Sequence, residues 1–320
     1  MPESQPDAAG WLEMISLFLS VLLKVAILFL MIGAGYVCGK INFISDGGAK
    51  EMTSVLFWVV TPCVIITSLQ DMLGKVSVGS LLLSGALSAV CAVAAIGFSY
   101  LLFRKAPPER RKILRFAVAY SNCGFVGLPL VDAVLGSQGV AYASVFMAVF
   151  NLFVWTHGVS SMKMEPQIDC KNAIVNPGVL GFAAGFVLFV FSVRLPEVIL
   201  SPMQCFSEMN TPLAMLVVGV YITQVPFREL FNDASLYVLS LARLLAVPLI
   251  CFCLLLPLHV DRTIFTSLLI LSSAPSAANS VMFAAQFGGD TRLGSKAVAL
   301  TTLFSALTMP LFPILVQCFY

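Results

Sequence analysis

Ser121-Asn122-Cys123-Gly124-Phe125-Val126-Gly127-Leu128-Pro129 interrupts one long apolar stretch of this chain, and Ser272-Ser273-Ala274-Pro275-Ser276-Ala277-Ala278-Asn279 interrupts another, with 151 residues from the first serine of one to the first serine of the other. Small, polar and proline residues of this kind stop a helix. In hydrocarbon an open backbone N–H or C=O finds no water, so a broken helix is tolerated only where it faces protein, a cavity or a ligand. Matching interruptions in two halves of a chain are the sequence feature that points best to the midplane site of a secondary transporter. The expected fold is therefore an all-α polytopic membrane protein with broken, crossing helices 4 and 9.

Composition carries the membrane assignment. Of 320 residues 59% are hydrophobic and 11% charged, and the mean hydropathy is +0.96, whereas a soluble domain carries about 25% charged residues. At about 20 residues per span, ten spans are expected near 15–37, 50–69, 78–103, 113–135, 139–160, 174–193, 203–224, 234–257, 263–287 and 293–318. The N-terminal residues include Glu3, Asp7 and Glu13 but no Lys or Arg before Lys24. They lack the basic region of a cleaved secretory signal, so span 1 is expected to stay as a helix.

The odd-numbered connections hold thirteen Lys and Arg residues, six of them between Arg104 and Arg115; the even-numbered ones hold Lys75, Arg194 and Arg262. The positive-inside rule then places both termini outside the cytoplasm. Ten spans divide into five plus five, and an odd number of spans per half requires the second half to be inverted. Thr61-Pro62 in span 2 matches Thr211-Pro212 in span 7, and the broken span 4 matches span 9. A single membrane domain is expected over residues 1–320, with inverted repeats at about 15–160 and 174–320 joined by Met162–Ala173.

Five pieces in this order resemble one family: Asn122 to Pro129, Asn176-Pro177-Gly178, Thr211 to Gly219, Arg243 to Pro248 and Ser305 to Pro310. Together they resemble the auxin efflux carriers, over about residues 15 to 320. The resemblance implies a scaffold of spans 1, 2, 6 and 7, a moving transport domain of spans 3–5 and 8–10, and a homodimer through spans 2 and 7, near Leu56 and Val217. The long cytoplasmic loop of many plant auxin carriers is missing. The chain thus resembles the compact bacterial members, which implies the cytoplasmic membrane and small carboxylates such as malate or malonate.

The residues agree with an anion. Where a helix is interrupted, its second half presents unpaired N–H groups and a positive dipole end, a ready site for a carboxylate. Asn122 and Asn279 each add an amide that donates and accepts, Pro129 and Pro275 keep the helix from closing, and Cys123, Gly124 and Ser276 lie within the breaks. These residues are the candidate substrate site, together with Asn151 of span 5 and the proline-preceding Thr61 and Thr211; the bland alternatives are backbone satisfaction, an interhelical hydrogen bond and simple kinking. Ionisable residues inside spans are functional candidates by default. Lys24 and Arg243 are possible partners of a carboxylate, against snorkelling or structural bracing, and Asp132 and Glu208 are possible proton carriers or charge partners. His157 reads as an interface residue rather than a relay.

Nine cysteines are scattered without a Cys-x-x-Cys pair or a His cluster, so neither a metal site nor a disulfide framework is expected. There is no nucleotide-binding motif, so no cofactor and no enzymatic activity are expected, and a net charge of +2 gives no reason to expect nucleic acid as a partner. The leading expectation is a secondary carrier that exports or exchanges a small organic anion by elevator-like movement. The alternatives are a sodium-coupled symporter of the bile-acid type, which would want clustered carboxylates where Asn, Ser and Pro stand here, and a membrane receptor that binds without transporting.

Overall fold

The computed structural model describes residues 8–163, 177–223, 225–287 and 289–319, and all the regular structure among them is helical. In chain order the helices are α1 (Ala8–Lys40), α2 (Asp46–Asp71), α3 (Val78–Leu101), α4 (Pro108–Ala119), α5 (Cys123–Met162), α6 (Pro177–Val190), α7 (Glu197–Thr223), α8 (Ala234–Leu258), α9 (Arg262–Ser273), α10 (Asn279–Gln286), α11 (Thr291–Thr308) and α12 (Leu311–Phe319). Five of them, α2, α3, α5, α7 and α8, are long and apolar enough to cross a membrane. A sixth span results if α11 and α12, bent by 42° at their junction, act as one. The stretches 25–40, 177–190 and 262–273 are apolar but shorter.

Two expected boundaries differ. Spans 4 and 5 were expected to part near residues 136–138, yet α5 runs through as 40 residues and only kinks at Gly136, whose φ of 62° and ψ of −158° suit a residue without Cβ. The expected span 9 is α9 and α10, separated by the extended stretch 274–278.

Three helices contain a widened, π-type turn just before a proline. The N–H of Thr61, Leu128 and Val247 reaches back five residues, to the carbonyls of Leu56, Cys123 and Ala242. Pro62, Pro129 and Pro248 follow directly. A proline ring crowds the carbonyl four residues earlier and offers no N–H, and a wider turn relieves that clash, as single-turn π-bulges do.

Small residues set the closest packing. A Cβ on Gly219 of α7 would collide with the Ile32 carbonyl of α1, and one on Gly35 of α1 with the Leu216 carbonyl of α7. Between α6 and α2, a Cβ on Gly181 would stand 2.8 Å from the Cα of Pro62. Backbone-to-backbone approach through glycine is how helices gain dispersion contact where no hydrophobic effect drives them together.

Polar contacts gather the connections at two ends. Arg110 pairs with Asp233, and Glu229 takes both Arg292 and Lys296, the latter at 3.0 Å; these tie the third, seventh and ninth connections together. Ser137 donates to Asp71 at 3.2 Å, and Gln70 holds both the Val193 carbonyl (3.0 Å) and the Leu195 N–H (2.9 Å). Those contacts tie the end of α2 to the Gly136 kink of α5 and to the connection between α6 and α7.

Candidate functional site

The two breaks meet. Tyr120 and Ala274, which end α4 and α9, are extended, and the strands that follow pair antiparallel at Ser121 and Ser276. The Asn122 N–H donates to the Pro275 carbonyl at 2.6 Å, and the Ala277 N–H to the Tyr120 carbonyl at 2.9 Å. Ser276 is fully buried; its hydroxyl donates to the Ala117 carbonyl at 2.8 Å and its N–H to the Thr301 hydroxyl at 3.1 Å. One short two-stranded bridge therefore satisfies backbone that would otherwise be orphaned.

Arg243 completes the accounting. It is 1% exposed. Its Nη1 donates to the carbonyls of Val118 (2.8 Å) and Ala119 (3.4 Å), its Nε to Ala274 (3.2 Å) and its Nη2 to Ser272. The last carbonyls of a helix have no intrahelical partner and carry its negative dipole end. Here the C-terminal ends of α4 and α9 converge on one guanidinium. With Ser276 on Ala117 and the Tyr120 N–H on Phe116 at 2.9 Å, every carbonyl of the last turn of α4 has a donor.

The N-terminal ends are furnished differently. The Asn122 side-chain oxygen accepts from the Phe125 N–H at 3.3 Å, the usual N-cap bond; the Val126 and Gly127 N–H groups reach back to the Asn122 carbonyl, and in α10 those of Ser280 and Val281 reach the Ala277 and Ala278 carbonyls at 3.1 and 3.0 Å. Both helices begin within three residues of the Ser121–Ser276 bridge. Among the described residues, the Asn122 amide nitrogen and the side chains of Asn151 and Asn279 have no protein hydrogen-bond partner. Asn122 and Asn151 are buried, and Asn279 is half-buried.

Two cavities approach these breaks. One of about 350 Å³ is lined by Tyr100, Arg111, Lys112, Arg115, His157 and Lys163 and ends on Ala119 and Tyr120. The other, of about 80 Å³, is lined by Thr67, Asp71, Asp132, Ser207 and Asn210 and ends on Leu128. Asn122 lies between their inner ends along the chain, and neither cavity reaches it.

The structure thus brings Asn122, Cys123, Gly124, Pro275, Ser276 and Asn279 into one locus. Pro129 is buried one turn into α5, next to the π-type turn. Thr61 is buried and Thr211 half-buried, and neither lines either of these two cavities. Asp132 is exposed in the smaller cavity, and Glu208 is exposed at the middle of α7. Lys24 lies on α1 with its side chain outside the described residues, as does Asn176 altogether. Arg243 contacts carbonyls, so bracing and not ligand contact describes what it touches. Sequence reading missed Tyr120 and Thr301. Tyr120 abuts the first break, and Thr301-Thr302 stands as a polar pair in an apolar span; both were signals in view.

A family model described as Membrane transport protein matches residues 20–169 and, a second time, 166–313. An uncharacterized transporter of Methanothermobacter thermautotrophicus is 25% identical over 300 residues, 91% of this chain and 96% of that protein. An uncharacterized transporter of Methanocaldococcus jannaschii is 21% identical over 299 residues, 90% and 96% of the two chains. Protein PIN-LIKES 1 of Arabidopsis thaliana is 20% identical over 181 residues, 51% of this chain and 38% of that one.

Proposed function

We propose, since this chain belongs to the membrane transport protein family of the auxin efflux carriers, that it is a secondary carrier for a small organic anion, working by efflux or exchange with elevator-type alternating access. The observation that carries the reading is the asymmetry of the paired breaks. Their carbonyl ends are occupied by Arg243, while their helix N-termini lie beside asparagine amides that have no protein partner among the described residues. An anion fits the second environment and not the first. The two cavities are lined by residues that precede and follow Asn122 in the chain, Tyr120 in one and Leu128 in the other.

A ten-span, five-plus-five inverted repeat is the architecture proposed. Exchanging the halves turns the contact of span 1 with span 7 into that of span 6 with span 2, and both contacts are glycine-mediated, at Gly35 with Gly219 and at Gly181 with Pro62. Assembly is proposed as a homodimer through spans 2 and 7. Leu56 and Val217 are fully buried within the protomer, so the face available is that of Val55, Trp58 and Val59 with Phe206 and Met209, all exposed. Asp132 and Asp71 in the smaller cavity are the acids available for cation coupling.

The test is transport of labelled small carboxylates by the full chain in proteoliposomes, with binding measured in the same lipid. Asn122→Ala should insert and fold yet weaken binding by about 1–3 kcal/mol, the range for losing a hydrogen bond to a charged group, and Asn279→Ala should act in the same direction. Unchanged affinity in both variants would move the site away from the breaks.

A further inference from the structure

The cavity of about 350 Å³ gathers four cations among its thirteen lining residues. Arg111, Lys112, Arg115 and Lys163 line it against a single acid, Glu109. Basic residues on one side of a membrane protein are explained by topology alone, but topology asks only for a count. It does not ask that they share a cavity, that they go unpaired, or that their heads be held in place.

All three occur here. Elsewhere at the same end Arg110 is neutralised by Asp233, and Arg292 and Lys296 by Glu229. Among the described residues the four cavity cations have no ion pair. The heads of Arg111, Arg115 and Lys163 are held by neutral groups instead. Arg115 donates to the carbonyls of Leu102 (3.2 Å) and Tyr100 (2.9 Å) and lies 5.0 Å from the centre of the Tyr100 ring. Arg111 donates to the Arg104 carbonyl at 3.3 Å, and Lys163 sits 5.4 Å from the centre of the Phe287 ring. A guanidinium has five N–H donors, so these bonds orient Arg111 and Arg115 without exhausting them. Oriented charges bind at lower entropic cost than mobile ones.

The inner wall is a hydrogen-bonded chain. The Tyr120 hydroxyl gives its proton to the Phe153 carbonyl (3.0 Å), so its 2.8 Å contact with His157 must be donated by Nδ1–H. That leaves Nε2 to accept from the Tyr100 hydroxyl at 3.1 Å. Tyr120 is also the residue whose carbonyl pairs with Ala277 across the breaks. The cavity therefore runs from unpaired cations to the back of the bridge.

We propose that this cavity is a second oxyanion-binding site, distinct from the helix breaks, which takes a ligand with two negative charges: a dicarboxylate or a phosphate group. If the carrier reading holds, its use is to gather the anion on one face before transfer; the binding itself does not depend on that reading. A soluble dianion and a lipid phosphate headgroup share this chemistry.

The experiment uses the full chain in phosphatidylcholine nanodiscs, titrated calorimetrically with succinate, inorganic phosphate and, as a single-charge comparison, acetate. Succinate and phosphate should bind saturably, and acetate about tenfold more weakly or worse. Arg111→Gln with Lys112→Gln should weaken succinate by about tenfold. Arg104→Gln with Lys105→Gln removes the same charge from the same connection outside the cavity and should change affinity by less than about twofold. Adding phosphatidic acid, whose phosphomonoester headgroup can carry two charges, to the nanodisc separates the sources. Displacement of succinate from the wild type, absent in the cavity variant, means that a lipid headgroup fills the site; indifference means that the solute does. Equal effects of the two double variants, or no saturable binding of either dianion, would overturn the proposal. Asn122→Ala should leave this binding intact: transport unaffected by Asn122→Ala sinks the reading of the breaks alone, and cavity binding lost in the wild type sinks this one alone.

Discussion

Replacing Arg243 tests whether one side chain holds both breaks. Four carbonyls depend on it, those of Val118, Ala119, Ser272 and Ala274. Each buried carbonyl left without a donor costs about 1–3 kcal/mol. Against this stands the relief of no longer burying a guanidinium, worth several kcal/mol per ion. Methionine and glutamine both bring that relief, so the difference between them isolates the carbonyls. Arg243→Gln still offers two N–H donors and Arg243→Met offers none; the Met variant should be the less stable by about 2–6 kcal/mol, two carbonyls at that rate. Arg243→Lys keeps charge and three donors but loses the planar fork, and should fall closest to the wild type. Unfolding free energies from reversible detergent denaturation or steric trapping in one lipid would give the ranking. A Met variant as stable as the Gln variant would refute the carbonyl accounting. Reduced ligand affinity in a Lys variant of undiminished stability would instead make Arg243 a ligand contact.

Further outcomes are expected at other places. Gly219→Ala should destabilise by about 1–3 kcal/mol, the cost of overpacking, because the obstacle is the Ile32 and Tyr36 backbone and not a movable side chain; Gly33→Ala, on the same helix as Ile32 with open space around it, should be neutral or stabilising in the same unfolding assay. Lys296 and Arg292 hold the Glu229 carboxyl below the usual carboxylate range. A depressed carboxylate contributes fully above its ordinary pKa of about 4.3 and loses that contribution as pH falls through the lower folded value. A fluorescent probe on the Phe227–Glu229 turn should therefore report constant docking from neutral pH down to about 5 and release only below the carboxylate range; release near neutrality, or the same acid transition in Glu229→Gln, would count against the pairing. Reporters fused after Tyr320 and inserted between Lys105 and Pro107 should fall on opposite sides of the membrane, the first outside the cytoplasm, and a cytoplasmic reporter after Tyr320 would reverse the orientation.

Much of this molecule was legible because lipid leaves backbone few choices. Asn122 to Pro129 and Ser272 to Asn279 announced two helix interruptions, and the interruptions are there. That they bond to each other was not legible: the Asn122 to Pro275 and Ala277 to Tyr120 bonds are main-chain contacts, which no side-chain pattern encodes. Arg243 read equally well as a ligand contact or as a brace, since a lone cation in a span looks the same whether it meets a carboxylate or a set of carbonyls. The parting expected at 136–138 is a bend at Gly136 within α5, since a residue without Cβ allows a sharp kink without ending the helix. The proximity of Lys163 to Arg111 and Arg115 in one cavity spans some fifty residues of sequence and depends on how α5 returns past α4. Local chemistry shows where the chain breaks; tertiary packing decides what the broken ends find.

The widened turns before Pro62, Pro129 and Pro248 have a consequence for how these helices present their sides. An α-helix advances by about 100° per residue, and a turn closed by a five-residue bond holds one residue more than its neighbours. Everything after it is out of phase by about that angle. The screw restarts at each proline. In α2 Leu56 and Val60 within the turn are buried together with Val64, Ile65 and Ser68 beyond it, while Val55, Trp58 and Val59 are exposed and Pro62, Cys63 and Ile66 half-buried. The extra residue thereby lets one continuous rod pass a proline and keep the same side against the protein along its length, without a loop.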